Sequence, residues 1–207
     1  MSSYKLYYSP GACSMAIHVL LLELEQPFEL IKVDLGAKSP VFLEINPRGQ
    51  VPVLVTPEGQ TLVEGGAQIV WLCNEHQSQL LPTRSAPRAT ALQWLMTANA
   101  SLHPAYGALF RMYANKSPEE AHAPFYKQIQ KLWDEIEQQL AQTGAYICGD
   151  ELTAADILLT VIANWNGYLK QPVTFGTNCK RLFTAVSSRA SYKKAMAEEQ
   201  VEYKAAA

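Results

Sequence analysis

A cysteine, Cys13, stands where a strand-like run stops and a helix-like run begins, and a thiol in that position can do chemistry. The first backbone N–H groups of a helix lack intrahelical partners and carry the positive end of the dipole, so they favour an anion. A thiol there is expected to have a depressed pKa and a larger thiolate fraction at neutral pH. On position alone, a packed and inert core cysteine is the competing reading. Two further stretches carry possible chemistry. Asn46-Pro47-Arg48-Gly49-Gln50-Val51-Pro52 puts a proline at the second position of an apparent internal strand. Proline has no N–H for a ladder, so this is an edge, a bulge or a cis bond, and Val51 keeps backbone groups with which an extended peptide can pair. Glu64-Gly65-Gly66 falls where a strand passes into a helix. The free N–H groups of that helix start suit a carboxylate, and the Glu64 side chain suits an ammonium. A capping glutamate before a flexible turn is the plainer alternative.

The elements that must position these residues follow from periodicity. Tyr4 to Tyr8 reads as a strand and Ser9-Pro10-Gly11 as a turn. Ile17, Leu20, Leu21 and Leu24 then recur at helical spacing, which predicts an amphipathic helix. Gln26-Pro27 breaks it, and Glu29 to Val33 reads as a second strand, parallel to the first across a right-handed crossover. A short helix is expected at Val41 to Ile45. Val51 to Val55 and Thr61 to Glu64, separated by Pro57-Glu58-Gly59, predict a hairpin. A helix through Ile69, Val70, Leu72 and Cys73 completes the order βαβαββα.

Leu80 to Pro87 contains two prolines, and beyond it nearly every signal is helical. The expected organisation is a first domain over 1–80, a linker over 81–88 and an all-α domain over 89–207. Ile129, Leu132, Trp133, Ile136 and Leu140 form one strong stripe. Thr153-Ala154-Ala155-Asp156 is a capping-box start with Leu152 and Ile157 spaced as a staple. Ile157 to Leu169 is apolar almost all round and is expected at the centre of the helical domain. Leu92, Leu95, Asn99, Leu102 and Tyr106 share a seam that is either a core face or a subunit face.

Composition narrows the function classes. The 207 residues are 48% hydrophobic and 17% charged, as in a well-packed globule. A net charge of −2 offers no electrostatic reason for binding nucleic acid or an anionic membrane. No apolar run approaches the roughly 20 residues needed to span a bilayer. Cys13, Cys73, Cys148 and Cys179 are widely spaced, without metal-ligand clustering, and no signal peptide is recognisable. These features predict a cytoplasmic protein without a metal.

Taken together, Tyr7-Tyr8-Ser9-Pro10-Gly11-Ala12-Cys13-Ser14 with His18, the 46–52 stretch, Glu64-Gly65, Ile147-Cys148-Gly149-Asp150 and Thr153 to Asp156 resemble the cytosolic glutathione transferases. The cysteine-containing bacterial beta class is the nearest, and the likeness spans nearly the whole chain in order. The resemblance implies a thioredoxin-like α/β first domain followed by an all-α helical bundle, with glutathione as co-substrate. Cys13 matches the reactive cysteine facing the glutathione sulfur, with Ser14 and Tyr8 as available donors. Val51 matches the backbone partner of the cysteinyl unit, and Pro52 the family's cis-proline. Glu64 and Gly65 match the pair that holds the γ-glutamyl end. Lys38 and Gln50 match tripeptide contacts, and His103 matches a histidine near the sulfur. Tyr106, Phe110, Tyr113 and Trp165 are candidates for a hydrophobic co-substrate pocket. The resemblance also implies a homodimer. Three departures stand out: Pro104 where relatives usually carry Lys, Met96 where they often carry a cross-subunit Asn, and a shortened connector after Lys38. Pro104 should kink its helix.

Two chemistries fit these residues. In one, glutathione attacks a hydrophobic electrophile, and the protein lowers its thiol pKa and positions the partners. In the other, Cys13 itself exchanges with a disulfide in a one-cysteine cycle, since position 16 is Ala16 and no resolving cysteine follows. A non-enzymatic interaction module on the same fold is a third possibility.

Overall fold

The computed structural model describes residues 3–205. The chain forms two compact units, one built from residues up to Leu81 together with Ser188–Glu202, the other from Pro82–Ser187 with the segment from Tyr203 onward.

The first unit follows the expected βαβαββα order: β1 (Tyr4–Tyr8), α1 (Ser14–Glu23), β2 (Phe28–Lys32), α2 (Pro40–Ile45), β3 (Val53–Val55), β4 (Thr61–Val63) and α3 (Gly65–Glu75). The sheet order is β2-β1-β3-β4. β1 and β2 are parallel, with Leu6 opposite Leu30, while β3 pairs antiparallel with β1 and with β4. Leu6, Val53 and Leu54 supply wholly buried side chains of the sheet. The hairpin strand begins at Val53, two residues later than its apolar run and directly after the cis Val51–Pro52 peptide bond.

α1 departs from its sequence pattern. Every residue from Ser14 to Leu21 is buried, so the helix is enclosed and not amphipathic. The cover on its second side is α9 (Ala190–Glu199), which packs on α1 although it lies at the far end of the chain. Residues 188–202 therefore group with the first unit, within the stretch whose helical composition reads as second domain.

The second unit begins with α4 (Ser85–Met96) and continues through a π-helical stretch, Thr97–Leu102, into α5 (His103–Ala114). Pro104 accounts for the wide turn. It has no N–H to donate to the preceding turn and its ring needs room there, and a π-bulge satisfies both. α6 (Ala123–Thr143) buries Ile129, Trp133, Ile136 and Leu140, and α8 (Thr177–Ser187) packs against it. α7 (Ala154–Ala163) is buried at every residue. It stops sooner than its apolar pattern, and Asn164–Tyr168 form a 3-10 turn. Asp156 holds its N-terminus: Oδ2 accepts from the Thr153 N–H at 2.8 Å and the Thr153 hydroxyl at 2.7 Å, while Oδ1 accepts from the Ile147 N–H at 2.8 Å. Burial nonetheless pushes the Asp156 carboxyl up to about 6. Leu95, Leu102 and Tyr106 are fully enclosed, so the seam along α4 and α5 is a core face of this unit.

Candidate active site

The turn after β1 is shaped for close backbone packing. Gly11 takes φ +68°, in the left-handed region that glycine enters freely. Ala12 donates its N–H to the Ser9 carbonyl at 3.0 Å, and Cys13 becomes the N-cap of α1. The Gly11 N–H is fixed from the far end of the chain, donating to Glu199 Oε2 at 2.9 Å. Glu199 is itself buried, with Oε1 at 3.0 Å from His18 Nδ1, while His18 Nε2 lies 2.7 Å from Glu198 Oε2. Ser14, expected as a donor to sulfur, is fully buried and turned toward the loop: its hydroxyl donates to the Ser9 carbonyl at 3.3 Å and accepts the Ser9 N–H at 3.2 Å. Tyr8 ends β1 in the interior, and burial, then Glu199 and Glu198, raises its phenol pKa.

The Cys13 thiol donates to the Val51 carbonyl at 3.4 Å. The surroundings of the sulfur run against the expectation of a depressed pKa. Desolvation of the sulfur is the largest influence and pushes the thiol up to about 11. The backbone N–H groups of Cys13 and Ser14 pull the other way, as the helix start requires, and Glu64 adds a smaller upward push. Enclosure outweighs the helix terminus here.

The loop before Pro52 is held by Asn46. Its side-chain amide donates to the Gln50 carbonyl at 2.8 Å and its Oδ1 accepts the Arg48 N–H at 3.2 Å. Gly49, at φ +61°, lies beneath Lys38: a Cβ there would be 2.6 Å from Lys38 Cδ. Lys38 and Gln50 are both exposed beside this loop. From α3, the buried Gln68 amide donates to the Pro52 carbonyl at 3.1 Å and the Leu62 carbonyl at 2.8 Å, tying the cis-proline to β4. Glu64 is the N-cap of α3 at φ +70°, an unusual conformation for a residue with a side chain, and Gly65 opens the helix. The Glu64 carboxylate is 2.6 Å from Arg48 Nη1 in an exposed ion pair. Cys13, Val51, Pro52 and Glu64 thus belong to one constellation within the first unit.

The second unit collects the remaining candidates along α5. The His103 ring lies tilted at 5.2 Å from that of buried Trp165, and Phe110 lies edge-on 6.2 Å from it. Tyr113 follows Phe110 at 6.3 Å. Tyr106 does not line a surface: it is wholly buried, its hydroxyl accepting the Trp133 Nε1–H at 3.0 Å, and burial raises its pKa far above an ordinary phenol. It is a core residue.

Comparison with known proteins decides the family. The glutathione S-transferase N-terminal domain matches residues 11–75, and the glutathione S-transferase C-terminal domain matches 119–165. Glutathione S-transferase GstA of Escherichia coli O157:H7 is 34% identical over 78% of this chain and 81% of its own. The chain belongs to the glutathione S-transferase family. A ternary complex of BphK, a bacterial member, superposes with a TM-score of 0.88 at 32% identity, covering 95% of this chain and 100% of that one. A sphingomonad glutathione S-transferase complexed with glutathione superposes at 0.82 with 30% identity, covering 96% and 100%.

In this glutathione S-transferase chain, four positioning residues carry no sequence signal of their own. Arg48 belongs to a recognisable loop, yet its pairing with Glu64 joins positions 16 apart and depends on the hairpin's register. Asn46 and Gln68 act through carbonyls, which no side-chain pattern announces. Glu199 reaches Gly11 across 188 positions.

Proposed function

We propose that this protein conjugates the thiol of glutathione to hydrophobic electrophiles. The observation that carries the reading is the approach of the Cys13 thiol to the Val51 carbonyl beside the cis Val51–Pro52 bond, with the Arg48–Glu64 pair in the same unit. An extended tripeptide can pair with the Val51 backbone, which lies outside the β3 ladder. Its amino-acid-like end carries an ammonium and a carboxylate. Glu64 suits the first; Arg48 and the N–H groups that open α3 suit the second. Because the ion pair is exposed and worth only about 0–1 kcal/mol, the ligand's own charges can replace it. Lys38 and Gln50 extend along the tripeptide.

Cys13 in this reading is a neutral hydrogen-bond donor to the glutathione sulfur, and the N–H groups at the start of α1 stabilise the thiolate on glutathione. Tyr8 and Ser14 shape the turn, with Ser14 acting through Ser9. The electrophile is the partner proposed for His103, Phe110, Tyr113 and Trp165 of the second unit. The one-cysteine exchange cycle is less well supported, because a thiol titrating near 11 is a poor attacking group at neutral pH. Membership of the glutathione S-transferase family, in which dimers are typical, supports assembly as a homodimer. No described helix is long and apolar enough to cross a membrane. A cytoplasmic, detoxifying role accords with these readings.

The test is glutathione-dependent conjugation of 1-chloro-2,4-dinitrobenzene by wild type and Cys13→Ala. Conjugation retained in the variant, with mixed-disulfide formation lost, is expected. Disulfide reduction without any conjugation, abolished in Cys13→Ala, assigns the protein to thiol exchange. Flow-through on immobilised glutathione assigns it to the non-enzymatic class.

A further inference from the structure

At the C-terminal end of α5, the aromatic row through Phe110 ends in a polar cluster. Tyr113 Oη and Tyr126 Oη, from the last turn of α5 and the first turn of α6, are 2.5 Å apart. The Lys170 N–H donates to Tyr113 Oη at 3.3 Å, and the Lys170 ammonium lies 5.3 Å from the centre of the Tyr113 ring. His122 packs edge-on against the same ring at 5.1 Å; it is buried, and its Nε2 has no partner among the described residues.

Proton counting shows what the cluster can bind. Each phenol owns one hydrogen, and the contact between them uses only one. If Tyr126 donates to Tyr113, the Tyr113 oxygen already accepts twice and its own hydrogen points elsewhere. If Tyr113 donates, the Tyr126 hydrogen is the spare one. Either way the pair retains one O–H donor that no contact among the described residues uses, and both tyrosines are only half-buried. Lys170 adds a positive charge. Its ion-pair partner among the described residues is Glu119, at 3.9 Å, and both side chains are exposed, so the pair is weak in water. An apolar aromatic surface that ends in a phenolic donor and an ammonium matches a ring bearing an anionic oxygen group.

We propose that Tyr113, Tyr126 and Lys170 select aromatic co-substrates that carry a carboxylate, the ring lying along Phe110 and the carboxylate accepting from the spare phenol and Lys170. This rests on the transferase reading for its word co-substrate, but binding tests it without turnover. The experiment is quenching of tryptophan fluorescence by 3,5-dinitrobenzoate and by 1,3-dinitrobenzene, two quenchers that differ in the carboxylate. Wild type should bind the benzoate about tenfold more tightly, the effect of one charge-assisted hydrogen bond. The double variant Tyr113→Phe/Tyr126→Phe, which keeps both rings and removes both phenol hydrogens, and Lys170→Met, at an exposed site, should each lower that ratio several-fold, because either phenol alone still offers a spare hydrogen. A wild-type ratio near one, or a ratio that survives in either variant, overturns the proposal. Failure to conjugate 1-chloro-2,4-dinitrobenzene while the ratio holds overturns the transferase reading and leaves the binding site standing.

Discussion

Alkylation of Cys13 offers the sharpest test of how its environment acts. Burial moves the thiol from 9.0 to about 11, a displacement of roughly 3 kcal/mol against the thiolate. At pH 7 the thiolate fraction is then on the order of one in ten thousand, about a hundredfold below that of the same thiol unperturbed. The folded state favours the protonated form, so reactivity should climb with pH through the whole range in which an ordinary cysteine has already levelled off. The assay is iodoacetamide labelling from pH 6 to 10, read by mass spectrometry of the Cys13 peptide so that Cys148, half-buried like Cys13, does not contribute. A short thiol peptide run alongside supplies the unperturbed curve. The Cys13 rate should lie about a hundredfold below it at pH 7 and still be rising at pH 10. A plateau with its inflection below 8.5 refutes the argument, because it means that the N–H groups of α1 dominate over desolvation.

Glu64→Ala should weaken glutathione binding about tenfold or more by removing the acceptor for an ammonium, measured by isothermal titration; equal affinities place the γ-glutamyl end elsewhere. Glu199→Ala removes the carboxylate shared by His18 Nδ1 and the Gly11 N–H, while His18 keeps Glu198, and should cost about 1–3 kcal/mol in urea unfolding, with Glu199→Gln milder. A loss below about 1 kcal/mol would show that the link to the turn is dispensable. Thr153→Ala should cost about 0.5–2 kcal/mol of stability, since the hydroxyl that donates to Asp156 is lost at a buried helix start. Unchanged stability there, or normal stability with lost activity, contradicts a purely structural role.

The elements most legible in the sequence are those governed by local chemistry. The aromatic strand at Tyr4–Tyr8, the turn at Ser9–Gly11, the hairpin and the cap at Thr153 are each specified by neighbouring residues, and each forms, the hairpin with its first strand shortened to Val53–Val55. Pro104 also acts locally, because a missing N–H acts within one turn, but where it leads one to expect a kink the helix widens into a π-helical stretch. What the sequence hides is nonlocal. The period of α1 marks one apolar face, but burial of its other face depends on α9. The position of Cys13 is readable, whereas its titration depends on atoms brought from several elements. Tyr106 and Phe110 occupy the same helix face by spacing, and only the packing of Trp133 against Tyr106 separates a core phenol from a candidate contact.

The hydrogen bond from Gly11 to Glu199 also orders events in time. During synthesis the first 81 residues emerge with their whole sheet, yet α1 still lacks its cover and His18 lacks both carboxylates until the last helix has been made. At roughly 5–20 residues per second, that leaves an apolar helix face uncovered for several seconds or more while the second unit is made. Completion of the turn that holds Cys13 is thereby coupled to the synthesis of α9. Products truncated before Ala190 carry an intact strand order but an unclosed α1, and they should be recognised by chaperones and proteases as unfinished, without acquiring the active-site turn.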